Sequence, residues 1–401
     1  MPNTALQQKT VKTLAVAQIL NGVGVAGTVA AGSLLVSSIS NSETLAGLAQ
    51  TSAVLGAAAL ALPLARLTQR GGRRLALSVG FSSGVIGSLF AIVGGQQKNL
   101  VLMLIGTFLV GAASAAGYQA RFAAIDLATD ETRAKQLSFV VWGSTIGAVA
   151  GPNLMQPAGN LAESFNLPRL VGPYIISGFT LSLATFVIFA FLRPDPFLTA
   201  NKSAANVKKH STKVALKHIR NNPQALFAIL AIAIGHVAMV SVMVMTPVHM
   251  AHVDVTLSVI GLVISVHVLG MYAFSPLVGM LSDRLGRVKV IQIGLAILLS
   301  SSVVAGFAKA DDAITLGIGL FLLGLGWSCT LIAGSAYLSE SVHEEFRASS
   351  QGASDLVMNL SGAAGGALAG VIIGTLSYGW LCLFAAIPVG LLAISSLKVR
   401  T

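Results

Sequence analysis

Twelve apolar runs, each close to the length of a membrane-spanning helix, are the feature that most constrains this chain. A helix of roughly 20 apolar residues crosses the hydrocarbon core of a bilayer, and backbone polar groups in that core must be hydrogen-bonded within the protein. The sequence therefore predicts an all-α membrane protein. Bounding each run by its charged and turn residues gives twelve transmembrane helices at 14–36, 44–63, 75–95, 100–120, 137–159, 170–192, 225–247, 256–281, 289–308, 312–335, 351–375 and 378–397.

Composition supports the same conclusion. Hydrophobic residues make up 54% of the 401 residues and charged residues 10%, whereas soluble domains carry about 25% charged residues. The net charge of +11 lies in short segments between apolar runs, which is typical of loops that face anionic lipid and not of a nucleic-acid-binding surface. Cys329 and Cys382 both fall inside apolar runs, so the sequence predicts neither a disulfide framework nor a zinc site.

The basic residues predict the orientation and the domain boundaries. With both termini in the cytoplasm, only Lys98, Arg169 and Lys309 of the 25 Lys and Arg residues lie outside, as the positive-inside rule requires. The longest polar stretch separates two groups of six spans. We therefore expect an N-terminal six-helix half at 1–192, a basic cytoplasmic linker at 193–224 and a C-terminal six-helix half at 225–401, in a monomer of a bacterial cell membrane.

An internal repeat relates the two halves. A shift of 214 residues superimposes two separate groups of polar and glycine residues, which is hard to obtain by chance. Parallel six-helix repeats of this kind place a solute pathway between them. The matched positions are Arg70, Gly72 and Arg73 with Arg284, Gly286 and Arg287, and Asp126, Glu131 and Arg133 with Glu340, Glu345 and Arg347.

The loop after the eighth span carries a motif. Gly279 and Asp283 are followed by Arg284, Gly286 and Arg287. This loop resembles the signature loop of the major facilitator superfamily, and with the six-plus-six layout the resemblance covers nearly the whole chain. It implies the major facilitator fold and a secondary transporter of a small solute.

The two copies of the loop differ. We expect the Asp283 carboxylate to meet the N-terminus of the fifth span, where the helix dipole favours negative charge. In the first copy, Ala65 and Gln69 stand where Gly279 and Asp283 stand. The sequence therefore predicts two unequal gates.

Small residues mark the fifth span. Gly143, Gly147 and Gly151 recur at helical spacing before Pro152, which predicts close packing against another helix and a bend at the proline. The segment from Gly147 to Pro152 resembles the core of a motif common in antiporters of the superfamily. Met155 and Gln156 replace the glycine pair that the motif carries next, so export is one alternative.

Three charged residues are candidates for proton coupling. Arg121 and Asp126 lie at the inner end of the fourth span, and Asp355 lies inside the eleventh. Superfamily members often carry an arginine in the fourth helix that is linked to proton coupling. The alternative is an arginine that extends its charge to the membrane interface.

The segment 236–271 concentrates histidine and methionine, with four of the seven histidines and five of the ten methionines. Met239 and Met243 share one face of the seventh span, and His267 and Met271 share one face of the eighth. Thioether and imidazole groups suit Cu(I). These pairs resemble the motifs of the CcoA-type copper importers, and the resemblance implies that Met239, Met243, His267 and Met271 bind transported copper.

Further residues near this segment extend the hypothesis. His249, Met250 and His252 in the outer loop are expected to meet an arriving ion, and His236 is a candidate proton carrier. Methionine also fills gaps between helices, and buried histidine also hydrogen-bonds neighbouring helices. Copper uptake is the first hypothesis; the alternatives are a proton-coupled exporter of drug-like compounds and an importer of a small organic solute such as riboflavin. The sequence contains no HExxH motif, nucleophile elbow or P-loop, so we expect neither an enzyme nor a cofactor.

Overall fold

A computed structural model describes residues 4–41, 45, 48–200, 219–251, 255 and 257–399, and these residues are almost entirely helical. The first helices are α1 (Thr4–Ser40), α2 (Leu48–Gln96), α3 (Leu100–Ala123), α4 (Arg133–Asn153), α5 (Met155–Ser164), α6 (Gly172–Phe191) and α7 (Pro196–Ala200). The remaining helices are α8 (Pro223–Ala251), α9 (Leu257–Tyr272), α10 (Ser275–Leu285), α11 (Arg287–Phe307), α12 (Ala313–Ser341), α13 (Glu344–Thr375) and α14 (Tyr378–Ser396).

Ten helical segments of the described chain are long and apolar enough to cross a membrane. The pair α4 and α5, bent by 61° immediately after Pro152, supplies an eleventh span. Helix α2 counts once among the ten, yet its 49 residues are broken at Gly72 and are about twice the length that one crossing needs. Dividing α2 there gives the twelve spans that the hydropathy pattern predicts. Of the predicted linker, 201–218 lies outside the described residues.

Two glycines create the turns that the repeat predicts. Gly72 has φ +82° and Gly286 has φ +94°, a backbone region that residues with a Cβ rarely adopt. Both stand at the same position of the 214-residue repeat, where each one redirects the chain from one helix into the next. The sequence repeat is therefore also a repeat of backbone conformation.

The described residues group into two compact units. The first unit contains those within 1–128, 139–212 and 351–356, and the second contains those within 129–138, 213–350 and 357–399. The first turns of α4 thus belong with the C-terminal helices, and a short piece of α13 belongs with the N-terminal ones.

Small residues bring helices together in the first unit. A Cβ at Gly56 of α2 would collide with the Phe108 carbonyl of α3, and one at Gly111 of α3 would collide with the Ala53 carbonyl. Lipid tails provide no hydrophobic driving force between helices, so association depends on close packing of this kind.

Helices α1 and α4 pack in the same manner. A Cβ at Gly22 would lie 3.1 Å from the Gly147 Cα atom, and one at Gly151 would lie 2.5 Å from the Ala26 Cβ atom. The glycine stripe of the fifth span therefore packs against α1. This arrangement explains the stripe without reference to the direction of transport.

Polar side chains in the preceding loops cap the N-termini of α3 and α12. Asn99 accepts a hydrogen bond from the Leu102 amide at 3.1 Å, and Asp312 accepts one from the Thr315 amide at 3.0 Å. These bonds satisfy backbone donors that have no partner within the first turn. The Thr315 hydroxyl and amide also hold the pKa of Asp312 below its usual value.

The two loop copies show a reciprocal exchange of small residues. A Cβ at Gly279 of α10 would collide with the Ser138 hydroxyl of α4. At the repeat-equivalent crossing, a Cβ at Gly352 of α13 would collide with the Ala65 Cβ atom of α2. Each crossing therefore has one glycine, on α10 in one copy and on α13 in the other. Ala65 does not weaken the first copy, because Gly352 provides the space.

This exchange predicts a compensating pair of substitutions. Gly352→Ala should lower the thermal unfolding midpoint of the purified protein, since an inserted methyl group typically costs about 1–3 kcal/mol in a packed site. Adding Ala65→Gly should restore most of the loss. Unfolding followed by intrinsic fluorescence measures both effects, with Ala65→Gly alone as the control. A double variant no more stable than Gly352→Ala would contradict the reciprocal packing.

Candidate functional site

A buried ion pair lies between α3 and α13 within the first unit. The Arg121 Nη2 atom is 2.6 Å from the Asp355 Oδ1 atom, and the side chains are 2% and 0% exposed. The Gln119 amide donates a hydrogen bond of 2.7 Å to the other carboxylate oxygen. Asp355 lies about three turns from the start of α13, well inside a membrane-spanning helix.

A second buried arginine extends this network. Arg73 contacts the Asp126 carboxylate with two nitrogens, at 2.7 and 3.0 Å. Its remaining donors reach the Gln119 carbonyl oxygen at 3.2 Å and the Gln351 carbonyl oxygen at 2.6 Å. Gln119 therefore bridges the two ion pairs. The sequence analysis named Arg73, Arg121, Asp126 and Asp355, but it did not identify Gln119 or Gln351.

The network is electrically balanced. Two guanidinium groups face two carboxylates, so the four charges cancel, and each arginine also lies near an aromatic ring. The Arg121 guanidinium is 4.6 Å from the centre of the Phe122 ring, and that of Arg73 is 5.6 Å from the Phe197 ring. Buried charges persist only when they are paired and hydrogen-bonded in this way.

The second loop copy forms its own network in the second unit. The amides of Ala134 and Lys135 donate to the two oxygens of Asp283, at 3.0 and 2.8 Å. This carboxylate therefore caps the N-terminus of α4, the helix that the repeat indicates. Arg287 holds the carboxylate from the other side and donates to Glu340 at 3.0 and 2.8 Å.

The two copies share one contact and differ in another. Arg73 with Asp126 is the repeat equivalent of Arg287 with Glu340, so both arginines of the repeat hold a carboxylate. The second loop copy contacts the start of α4 through the Asp283 carboxylate. The first copy contacts α13 through Arg73, which bonds to the neutral side chain of Gln351. Arg70 and Arg284 are exposed.

His236, the candidate proton carrier, and His267, the predicted copper ligand, lie in two different environments. The Trp327 indole donates a hydrogen bond of 3.0 Å to the His236 Nδ1 atom. The His267 Nδ1 atom is 2.7 Å from the Leu320 carbonyl, so it carries the proton. The Nε2 atom of His267 is buried, and no partner for it lies in the part of the chain that the structure describes.

The four predicted copper ligands lie on helices that scarcely contact each other. Met239 and Met271 are buried, and Met243 is half-buried. Helices α8 and α9 both pack on α12. Within the described ranges no group of three or more His, Cys, Asp or Glu side chains is arranged to hold a metal ion.

The predicted ion-arrival residues take packing positions where they are described. His249 stacks on Tyr378, with ring centres 4.3 Å apart, and Met250 is fully buried. His252 lies outside the described residues. A buried Met250 side chain gives no support to capture of an ion at the surface.

A pair of amides in the first unit was missed by the sequence analysis. Gln18 on α1 donates a hydrogen bond of 2.9 Å to the Ser144 hydroxyl of α4, and Asn21 follows one turn later. A Cβ at Gly117 of α3 would lie 2.5 Å from the Asn21 nitrogen and 3.2 Å from the Gln18 Oε1 atom. Both amide oxygens are buried, and neither has a hydrogen-bond partner among the described residues.

Two polar amides one turn apart on a single membrane helix form no motif that can be recognised from one sequence. The signal available was the polar pair Gln18 and Asn21 within an otherwise apolar span. An isolated amide in a membrane helix is costly unless it finds a partner. That cost is the reason to examine such residues first.

Comparisons with known proteins agree with this architecture. The family model described as Major Facilitator Superfamily matches residues 14–255 and 238–400. The chain is 37% identical to the uncharacterized MFS-type transporter YddS of Bacillus subtilis, over 95% of this chain and 88% of that protein. It is 26% identical to the riboflavin transporter RfnT of Brucella anthropi, over 95% and 92% of the two chains.

A solved structure shows the same fold. The crystal structure of the Escherichia coli fucose:proton symporter FucP aligns with a TM-score of 0.75 at 15% identity, covering 98% of this chain and 99% of that one. Members of the superfamily that this family model describes are multi-pass membrane transporters and not enzymes. The chain belongs to the major facilitator superfamily and is a protein of the cytoplasmic membrane.

Proposed function

We propose that this protein is a proton-driven transporter of a small polar organic solute, and that the Arg121–Asp355 pair is its proton-coupling site. The proposed orientation has both termini in the cytoplasm, and the proposed functional unit is a monomer. The observation that carries the proposal is a fully buried carboxylate held by one arginine and one glutamine inside a membrane-spanning helix. Ionisable residues at such positions commonly mark ion or proton pathways.

Protonation of Asp355 would change the balance of the network. The carboxylate would take one proton and lose its charge, and Arg121 would be left with a buried positive charge. Removing one partner of a buried pair typically costs about 3–5 kcal/mol. A protonated Asp355 therefore favours a second conformation in which α13 has moved from α3 and Arg121 has another partner.

The neighbouring charges make Asp355 the site for this step. Asp126 is held by two nitrogens of Arg73, whereas the contacts of Asp355 include one nitrogen of Arg121 and the neutral amide of Gln119. Tyr118 lies on the same turn of α3, with Arg121 5.6 Å from its ring. Release of the proton on the other side of the membrane restores the pair and completes the cycle.

The amide pair supports an organic solute. The Gln18 and Asn21 oxygens accept hydrogen bonds, so they fit a neutral molecule that presents hydroxyl or ring N–H groups. A buried acceptor without a donor costs about 1–3 kcal/mol, which a bound solute would offset. Riboflavin, the cargo named for the relative RfnT, carries both kinds of donor and is the first solute to test.

Copper uptake is a second candidate because of one observation. A histidine that donates from Nδ1 to a carbonyl has its Nε2 lone pair directed away, and this arrangement orients many metal-binding histidines. His267 has that geometry with the Leu320 carbonyl. Met271, one turn along α9, would supply a thioether. The proton-coupled exporter of drug-like compounds has no comparable contact in its favour.

The coupling proposal predicts the behaviour of Asp355→Asn. In proteoliposomes that contain riboflavin on one side, this variant should lose accumulation driven by a pH gradient but keep exchange of labelled for unlabelled solute. Fluorescence and radiolabel measure the two activities. Glu163→Gln, which changes a carboxylate that is 54% exposed, is the control.

Since Asp355→Asn removes the carboxylate that Arg121 contacts, the double variant Arg121→Gln with Asp355→Asn, which removes both charges, is tested beside it. In both variants, solute accumulation should no longer be driven by the pH gradient. If either variant, at equal amounts of folded protein, accumulates solute at the wild-type level under a pH gradient, Asp355 is not the proton-coupling residue.

The solute proposal predicts an effect on affinity. Asn21→Leu removes the acceptor and keeps the branched shape of the side chain, so the KM for riboflavin should rise about tenfold, the equivalent of one hydrogen bond of about 1.4 kcal/mol. Thr28→Val on the same helix is the control, because the Thr28 hydroxyl is already bonded to the Val25 carbonyl at 2.7 Å. An unchanged KM for Asn21→Leu speaks against the amide site.

The copper candidate predicts lower cellular copper in His267→Ala and Met243→Ala than in the wild type, measured by elemental analysis at equal expression. Met103→Leu, which changes a buried methionine of α3, should leave copper unchanged. Copper levels equal to wild type in both test variants exclude copper as the cargo.

A further inference from the structure

A groove of about 580 Å³ lies between the first turns of α1 and the last turn of α6, within the first unit. Lys9, Lys12 and Val16 line it from α1, and Val187 and Phe191 line it from α6. No acidic side chain is among its lining residues. The groove thus combines two positive charges with an apolar wall.

The two lysines keep their charge available. Lys12 is exposed, and no hydrogen bond or ion pair holds it within the described ranges. Lys9 donates a hydrogen bond of 3.0 Å to the Arg193 carbonyl, which holds its ammonium group at the groove without neutralising it. A carboxylate near this end of α6, that of Asp195, accepts from the amides of Arg74 and Leu198 at 2.7 and 3.1 Å.

The position along the membrane normal fits a lipid headgroup. Helix α1 has 37 residues and is about 55 Å long, whereas the hydrocarbon core of a bilayer is about 30 Å thick. Its first turns therefore extend into the headgroup region. The apolar wall lies on the side of the groove that continues along α1 and α6 toward the hydrocarbon core.

We propose that this groove binds an anionic phospholipid, with Lys9 and Lys12 at the phosphate and Val16, Val187 and Phe191 along the first carbons of an acyl chain. Lysine and the phosphate charge attract each other strongly near the membrane surface, and the lysine stems cover apolar surface at the same time. A free phosphate ester meets the same two charges but leaves the apolar wall uncovered. The complete lipid therefore binds more tightly than its headgroup.

Native mass spectrometry of the full chain in detergent tests this inference. Phosphatidylglycerol should bind more tightly than phosphatidylcholine, and Lys9→Gln with Lys12→Gln should weaken phosphatidylglycerol binding about fivefold for each lysine removed. Lys98→Gln with Lys309→Gln, which removes two exposed lysines at other loops, should leave binding unchanged. Phe191→Ala should weaken binding of the lipid but not the preference for the anionic headgroup.

Three results would overturn the inference. They are equal binding of phosphatidylcholine, phosphatidylglycerol binding that Lys9→Gln with Lys12→Gln leaves at the wild-type level, and displacement of the lipid by sn-glycerol 3-phosphate at concentrations comparable to those of the lipid. Lys12→Gln alone is measured as well, because loss of an exposed side chain without a protein partner leaves the fold intact.

Discussion

Compensation of buried positive charge is the constraint on which this structure depends. Arg73 and Arg121 are 0% and 2% exposed, and a guanidinium group does not lose its proton in a protein. Each one therefore requires a carboxylate, and the two carboxylates come from different places. Asp126 follows α3, whereas Asp355 lies on α13. Charge compensation thereby holds the segment 351–356 of α13 against α3 within the first unit.

The same constraint explains why the two loop copies have diverged without loss of structure. In one copy the α4 N-terminus attracts Asp283, and Arg287 completes the contact. In the other, Gln69 stands at the equivalent position, and Arg73 reaches Gln351 of α13 directly. Because the Gln351 side chain is neutral, the Asp126 carboxylate balances the charge of Arg73. The unequal sequences are thus two ways to join a loop to a neighbouring helix.

Much of the fold was predictable because it repeats or depends on local chemistry. The spans follow from hydropathy, and the turns at Gly72 and Gly286 follow from a motif that occurs twice. The helix that meets Asp283 follows from the repeat and the helix dipole. What the sequence could not show is which side chains meet across helices distant in the chain. Gln119 bridging two ion pairs, and Gly352 making room for Ala65, depend on helix rotations that periodicity alone does not fix.

The histidine and methionine cluster shows the opposite case, in which local spacing suggested more than the packing supports. Residues four apart on one helix do share a face, but a metal site also needs the two faces to meet. His236 is instead bonded to Trp327, and α8 and α9 each pack on α12. His267 keeps a buried Nε2 atom suited to a ligand, so the spacing identified a residue of chemical interest.

Helix α3 connects the two parts of the proposed mechanism. Gly117 faces the amides of Gln18 and Asn21, and Arg121, four residues later, holds Asp355. Residues four apart lie on one face about 6 Å apart along the helix axis. In the proposed mechanism, a solute that bonds to the amides displaces α3 from α1 and therefore acts on the Arg121–Asp355 contact directly. Solute binding and proton binding can therefore influence each other over a distance of about one helical turn.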